Sequence, residues 1–249
     1  MERKMNCRDL VNVVVIGAQK SATSAIIRHL SEVDNVWGGI KEHHFFSVHH
    51  EKGVEWYHNQ LQKNYEKSSG EKKSVFEHSV VIEKSPSYMS VLESASRIYK
   101  YNPLMKIIVS LRNPVARAYS RYQDILADNP ERIKSSFYET AVNSIKNNHH
   151  YTENGCYSKQ LAPYFKIFPR ENILIKIQER MELEPTAEFR EIGEFVIDTP
   201  LDIKPRRVHS NKYREPIDRK SEALLADYYR EKNEDLFKLL GEEIPEWNY

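Results

Sequence analysis

The stretch VIGAQKSATSAII (15–27) sets a lysine, two serines and a threonine after a β-branched apolar run that ends in glycine. Small residues following a strand let a ligand come close to the backbone. The N–H groups that open the next helix point at such a ligand, with the positive end of the helix dipole behind them. Lys20 would add a mobile positive charge, and Ser21, Thr23 and Ser24, grouped around Ala22, would add hydroxyl donors. The chemistry is anion binding. It is not that of an ordinary triphosphate loop, because G-x-x-x-x-G-K-[ST] needs a second glycine before its lysine, and only Ala18 and Gln19 separate Gly17 from Lys20. The bland account of the same residues is a helix start with a surface lysine.

A second basic centre lies in KIIVSLRNPVARAYSRY (106–122). Arg112 closes another apolar run, and Ser120 falls two helical turns further on. A guanidinium fork with a hydroxyl suits a phosphate monoester, although a structural ion pair would explain Arg112 equally well. Two more segments carry charges where a sheet edge is expected: KEHHFF (41–46), with Glu42 and His44, and EKSPSY (83–88), with Lys84. Read alone, Glu42 beside Lys41 is a solvated loop charge. The pairs His43–His44, His49–His50 and His149–His150 lack the companion carboxylates or cysteines of a metal site, so no metal is expected.

The elements that must position these residues follow from periodicity. Near-continuous apolar runs predict strands at Val11–Ile16, Lys106–Leu111 and Asn172–Ile177, with another at Val80–Glu83. Helical patterns fall at Ser21–Ser31, Val91–Lys100, Pro114–Ala127 and Tyr157–Phe168, and a last helix runs from about Ile217 to Leu240 before Gly241. Pro114 suits a first helical turn, where its missing N–H costs nothing. Alternating strands and helices imply a three-layer α/β fold: one central parallel sheet with helices on both faces. Ligands of such sheets bind beyond the carboxyl ends of the strands, and GAQKSATS, EKSPSY and LRNPVARAYS all fall at such ends.

Composition narrows the class. A chain of 249 residues with 40% hydrophobic and 29% charged residues fits one soluble α/β domain. The formal net charge of +1 supplies no global field for nucleic acid or an anionic membrane, so an anion site must come from local clustering. No stretch reaches the ~18 apolar residues of a membrane span, and the N-terminus does not read as a signal peptide. Cys7 and Cys156 make neither a metal spacing nor a disulfide framework, and a reducing cytoplasm is expected.

Together these segments resemble the sulfotransferases that use 3′-phosphoadenosine 5′-phosphosulfate (PAPS), and most closely the heparan-sulfate type of sulfotransferase domain. GAQKSATS resembles that family's 5′-phosphosulfate loop, and SLRNPVARAYSRY its 3′-phosphate motif. KEHHFF and EKSPSY resemble the motifs holding its glutamate and a lysine, and GCYSKQLAPYFKIFPRENILI its later helix-then-strand segment. The resemblance covers most of the chain and implies a P-loop-type fold. It implies that Lys20 and Ser21–Ser24 bind the 5′-phosphosulfate, that Arg112 and Ser120 hold the 3′-phosphate, that Lys84 lies near the transferred sulfonyl group, and that Glu42 is the general base. His44 would orient the site or assist the proton. PAPS is then the donor, 3′,5′-diphosphoadenosine the product, and no metal is needed. The family's glycine-containing basic loop over the nucleotide is matched here by KPRRVHSNKYREPID (204–218), which has no glycine. Lys212 and Arg214 are its candidate contacts, against the bland reading of a solvated basic loop. Tyr157 is a candidate neighbour of the nucleotide, a core tyrosine being the simpler account.

Two other classes compete: a small P-loop kinase, imitated by Lys20–Ser21, and a nucleotide-binding protein without activity. The modest net charge favours a soluble small-molecule acceptor, such as a natural product, over a long acidic glycan. Trp37, Trp56, Tyr57 and Tyr88 could wall its pocket or simply be core.

Overall fold

The computed structural model describes residues 11–201 and 216–247. Five strands, β1 (Val13–Gly17), β2 (Val36–Gly38), β3 (Val80–Lys84), β4 (Lys106–Leu111) and β5 (Ile173–Ile177), form one sheet in the order β2-β3-β1-β4-β5. Every pairing is parallel. The helices are α1 (Thr23–Leu30), α2 (Gly53–Ser69), α3 (Glu93–Tyr101), α4 (Pro114–Asp128), α5 (Phe137–Lys146), α6 (His150–Glu153), α7 (Tyr157–Ile167), α8 (Gln178–Leu183), α9 (Pro185–Ile197) and α10 (Arg219–Leu240).

Side-chain alternation along β1 explains the three layers. Val14 and Ile16 enter one core with Tyr57 and Leu61 of α2, Ile98 of α3, and Leu161 and Tyr164 of α7. Val13 and Val15 enter the other with Ile26, Ile27 and Leu30 of α1 and Phe189, Ile192 and Val196 of α9. A strand with apolar residues at every position is thus buried on both faces. A satellite core joins α4, α5 and α10 through Val115, Tyr119, Phe137, Leu225 and Tyr229.

The expected strands are present with ends moved by one or two residues, and β2 is added at the sheet edge. Three residues are too short a run to announce themselves by period. The helices α2, α5, α6, α8 and α9 are likewise additional to the sequence expectation. In α2 the buried stripe is Tyr57, Leu61 and Tyr65 on an otherwise polar surface. Pro114 opens α4 and Gly241, at φ 79°, closes α10 in the left-handed conformation, both as expected. Trp37, Tyr57 and Tyr88 are buried in the first core and Trp56 packs partly buried against it, so the aromatic acceptor wall resolves into packing.

From β1 the chain moves to one side of the sheet for β2 and β3, then returns to the other side for β4. The loop after β1 therefore sits at a switch point, where open α/β sheets form their crevice. Hydrogen bonds tie that loop to both neighbours. Ala18 N donates to Ser110 O of β4 at 2.6 Å, and Met89 N, in the turn after β3, donates to Ile16 O at 3.0 Å.

Gly17 makes this junction possible. Its φ of +156° and the Met89 Cβ and Sδ, each 2.9 Å from where a Cβ would lie, leave no room for a side chain. Gly17→Ala should therefore destabilise by about 1–3 kcal/mol, lowering the thermal midpoint by roughly 2–4 °C per kcal/mol for a chain of this size. An unchanged midpoint in a calorimetric scan would show that the junction yields without cost.

Candidate active site

The first loop is shaped as an anion cradle. Lys20 and Ala22 both take positive φ, 72° and 58°. Such conformations cost a non-glycine residue about 1–2 kcal/mol, and successive turns of this kind aim backbone N–H groups into one concavity. Ala22 is the N-cap of α1 and no side chain caps that helix; Ala25 N–H turns back to the Ala22 carbonyl, which leaves the Thr23 and Ser24 N–H groups for an external acceptor. The Ser21 hydroxyl is fully buried without a hydrogen-bond partner. Thr23 is buried and Ser24 half-buried.

Lys84, at the end of β3, connects this cradle to the KEHHFF segment. Its ammonium donates to Ser24 Oγ at 3.2 Å and to Glu42 Oε1 at 2.8 Å. The Lys84 side chain is 5% exposed, that of Glu42 33%, so the ammonium is held inside while the carboxylate faces outward. On the far side, Glu42 Oε2 lies 3.5 Å from His44 Nε2. The imidazole is fixed in turn by Nδ1, 2.8 Å from Ser87 Oγ, which itself lies 3.0 Å from Ser47 Oγ. His44 has φ 52°, and its carbonyl accepts from Ser47, Val48 and His49 N–H groups, which holds the strained turn closed. A lysine, a carboxylate and a histidine thus meet in line. This arrangement polarises a carboxylate and keeps it open to a proton donor.

Lys20 is held differently. Its ammonium pairs with Asp124 Oδ1 at 2.8 Å, and Asp124 Oδ2 also accepts from Arg121 Nη1 at 3.0 Å. Against the cost of partial burial, these two cations hold the Asp124 carboxyl below its usual range. Arg112 Nη1 donates to Lys20 O at 3.3 Å, which brings the second basic centre onto the first loop. Ser120, one turn before Asp124 on α4, is nearly out of solvent at 3% exposure.

Tyr157 is buried in the core, as the simpler of its two readings has it, and burial pushes its phenol up to about 12. Its hydroxyl donates to Arg112 O at 2.8 Å, which ties it to the second basic centre. From the same helix, Tyr164 donates to Tyr88 O at 2.9 Å. Lys212 and Arg214 lie outside the described residues. Sequence reasoning did not single out Asp124, Ser87 or Glu83. Asp124 was detectable four residues after Ser120 on one helical face. Glu83 was detectable as a charge within an otherwise apolar strand. Among the described residues, no three histidine, cysteine, aspartate or glutamate side chains group to hold a metal ion.

A family model described as "Sulfotransferase domain" matches residues 11–233. Heparan sulfate glucosamine 3-O-sulfotransferase 5 of Mus musculus is 28% identical over 215 residues, covering 83% of this chain and 57% of its own. The 3A1 enzyme of the same organism is 28% identical over 193 residues, covering 76% of this chain and 46% of its own. The chain therefore spans about half the length of these curated relatives. Among solved structures, a sulfotransferase from Alicyclobacillus acidocaldarius superposes with a TM-score of 0.75 at 23% identity, covering 95% of this chain and 98% of that one. The sulfotransferase domain of the Synechococcus PCC 7002 olefin synthase gives 0.58 at 15% identity over 94% of this chain and 95% of its own. These two share the α/β fold. With a family match spanning nearly all the described residues, the chain belongs to the sulfotransferase domain family.

Proposed function

We propose that the protein is a PAPS-dependent sulfotransferase acting on a hydroxyl of a glycan. The observation that carries this reading is the line Ser24–Lys84–Glu42–His44, which joins an anion cradle to a carboxylate at hydrogen-bond range. The family match replaces the phosphoryl-transfer alternative. Both curated relatives are named as sulfotransferases of heparan sulfate glucosamine. That supports a glycan hydroxyl over the small-molecule acceptor suggested by the net charge of +1.

The cradle fits the donor's 5′ end: positive-φ backbone at Lys20 and Ala22, an uncapped helix, and a buried Ser21 hydroxyl that has no partner of its own. When bound, PAPS supplies the sulfonyl group and a phosphate leaving group. Lys20 and the α1 amides would hold its 5′-phosphosulfate, and Arg112 with Ser120 its 3′-phosphate. Glu42 takes the acceptor's proton, because a hydroxyl is a poor nucleophile until it is removed. Lys84 keeps Glu42 in place and offers positive charge where charge moves onto the departing oxygen, so it acts most in the transition state. His44 holds the outer Glu42 oxygen and excludes other orientations.

The direct test is transfer of radiolabelled sulfonyl from PAPS to heparan sulfate oligosaccharides and, in parallel, to a panel of phenols and small alcohols. Labelled saccharide is expected. Label confined to the small acceptors would reverse the acceptor assignment, and no label anywhere would remove the activity.

Glu42→Gln keeps shape and the Lys84 hydrogen bond but cannot take a proton. Turnover should fall by about 10²–10⁴-fold, with the affinity for 3′,5′-diphosphoadenosine nearly unchanged in calorimetry. His44→Ala is the control: a collapse there while Glu42→Gln stays active would move the base to histidine.

On the donor side, Lys20→Ala should abolish transfer while leaving the fold intact. Asp124→Asn should do the reverse of weakening the site. By releasing Lys20 from its internal counter-ion, it should tighten 3′,5′-diphosphoadenosine binding by about fivefold, the worth of ~1 kcal/mol for a part-exposed pair. Weaker binding would mean that Asp124 aims Lys20 rather than competing for it.

A further inference from the structure

Glu83 is a buried carboxylate that the chemistry above does not use. It neighbours Lys84 on β3, but successive strand residues face opposite sides of a sheet. Val81, two residues before Glu83, packs in the core with Tyr57 and Tyr88, while Ile82, two before Lys84, packs in the core with α1. Lys84 therefore reaches Ser24 and Glu42 from one face while Glu83 lies behind the other, 1% exposed. A carboxylate in such a place is costly unless its oxygens are used.

One oxygen is used twice. Glu83 Oε1 accepts from Ser85 Oγ at 2.6 Å and, at a longer 3.4 Å, from the backbone N–H of His43. With its proton committed to Glu83, Ser85 Oγ has its lone pairs free, and it accepts from the backbone N–H of His44 at 3.0 Å. Two consecutive amides are thereby anchored immediately after Glu42, in the turn where His44 is forced to φ 52°. The chain of contacts closes on itself: Glu83 to Ser85, Ser85 to the His44 backbone, the His44 ring to Glu42, and Glu42 to Lys84, the neighbour of Glu83. Behind this ring of contacts, His43 Nε2 and the Tyr57 hydroxyl are buried without a hydrogen-bond partner, and the Tyr88 hydroxyl lies against the Glu83 carboxylate. Burial pushes the Glu83 carboxyl up to about 7 and the His43 imidazole down to about 4.

We propose that Glu83 is a positioning residue for sulfonyl transfer: through Ser85 and the His43 amide it fixes the turn carrying Glu42 and His44, and so sets the Glu42 carboxylate between Lys84 and the acceptor. This rests on the sulfotransferase reading above. The role acts through backbone placement, so any acceptor oxygen at position 83 serves it.

The test uses Ser85→Ala, Glu83→Leu and Glu83→Gln in the full chain. Ser85→Ala and Glu83→Leu remove the anchor from its two ends. Each should lower kcat on the order of 10- to 100-fold, as expected for a displaced reacting group. Affinity for 3′,5′-diphosphoadenosine should stay within about twofold, the tolerance for sites that do not share partners. Glu83→Gln retains the accepting oxygen and should recover most of the wild-type kcat. Backbone amide exchange across residues 42–46, read by mass spectrometry, should quicken in the first two variants and not in the third. Wild-type kcat in Ser85→Ala, or equal losses of kcat and nucleotide affinity, would overturn the positioning role. A Gln variant as poor as the Leu variant would overturn the acceptor-oxygen argument. If the wild-type protein transfers no sulfonyl group, the functional reading falls, and the exchange data still decide whether Glu83 holds the turn.

Discussion

A single ammonium, that of Lys84, fixes the geometry on which the site depends. It is nearly enclosed and contacts the helix after β1 on one side and the turn carrying Glu42 on the other. An enclosed charge of this kind is tolerated only with a partner at close range; removing one partner of a buried pair typically costs about 3–5 kcal/mol. The pair is thus a constraint as much as an attraction. Glu42 cannot leave Lys84 without stranding it, and the anion loop cannot shift without losing the Ser24 contact. The anion loop and the outward-facing carboxylate are kept in register by one side chain.

The sheet supplies that side chain at the right place for a simple reason. β3 lies directly beside β1, with Val15 opposite Lys84, so the last residue of β3 emerges beside the loop that β1 opens. On the other flank, β4 delivers Arg112 to the carbonyl of Lys20. Three adjacent parallel strands bring three segments, remote in sequence, to one edge. The satellite core of α4, α5 and α10 then carries Ser120, Arg121 and Asp124 against that edge without contributing to the sheet.

Much of this was legible in the residues themselves. The valines of β1 and the isoleucines of β4 declare strands buried on both faces, and the glycine, small hydroxyl residues and lysine after Ile16 declare an anion loop. What could not be read is which charges meet. Nothing in the chain before folding says that Lys84 will find Glu42 across 41 intervening residues, or that Lys20 will rest against Asp124. β2 was missed because three residues cannot show a period, and α2 because its Tyr57–Leu61–Tyr65 stripe is diluted by charged neighbours. Tyr157 shows the opposite case: the residues allowed it a place near a nucleotide or in the core, and folding buries it with its hydroxyl on the Arg112 carbonyl.

The two tyrosines of α7 give the site a ruler. Tyr157 and Tyr164 are pinned by their hydroxyls to the carbonyls of Arg112 and Tyr88, one in the segment that follows β4 and the other in the turn that follows β3. Seven residues of α-helix span about 10 Å, and a helix packed on both α3 and α10 does not stretch. The separation between the arginine's segment and the lysine's segment is therefore metered by one helix that belongs to neither. Changes in the length or tilt of α7 would rescale the gap between the two halves of the crevice together. In this fold, ligand size is thus a property that can be retuned from behind the sheet, with every polar residue at its edge left as it is.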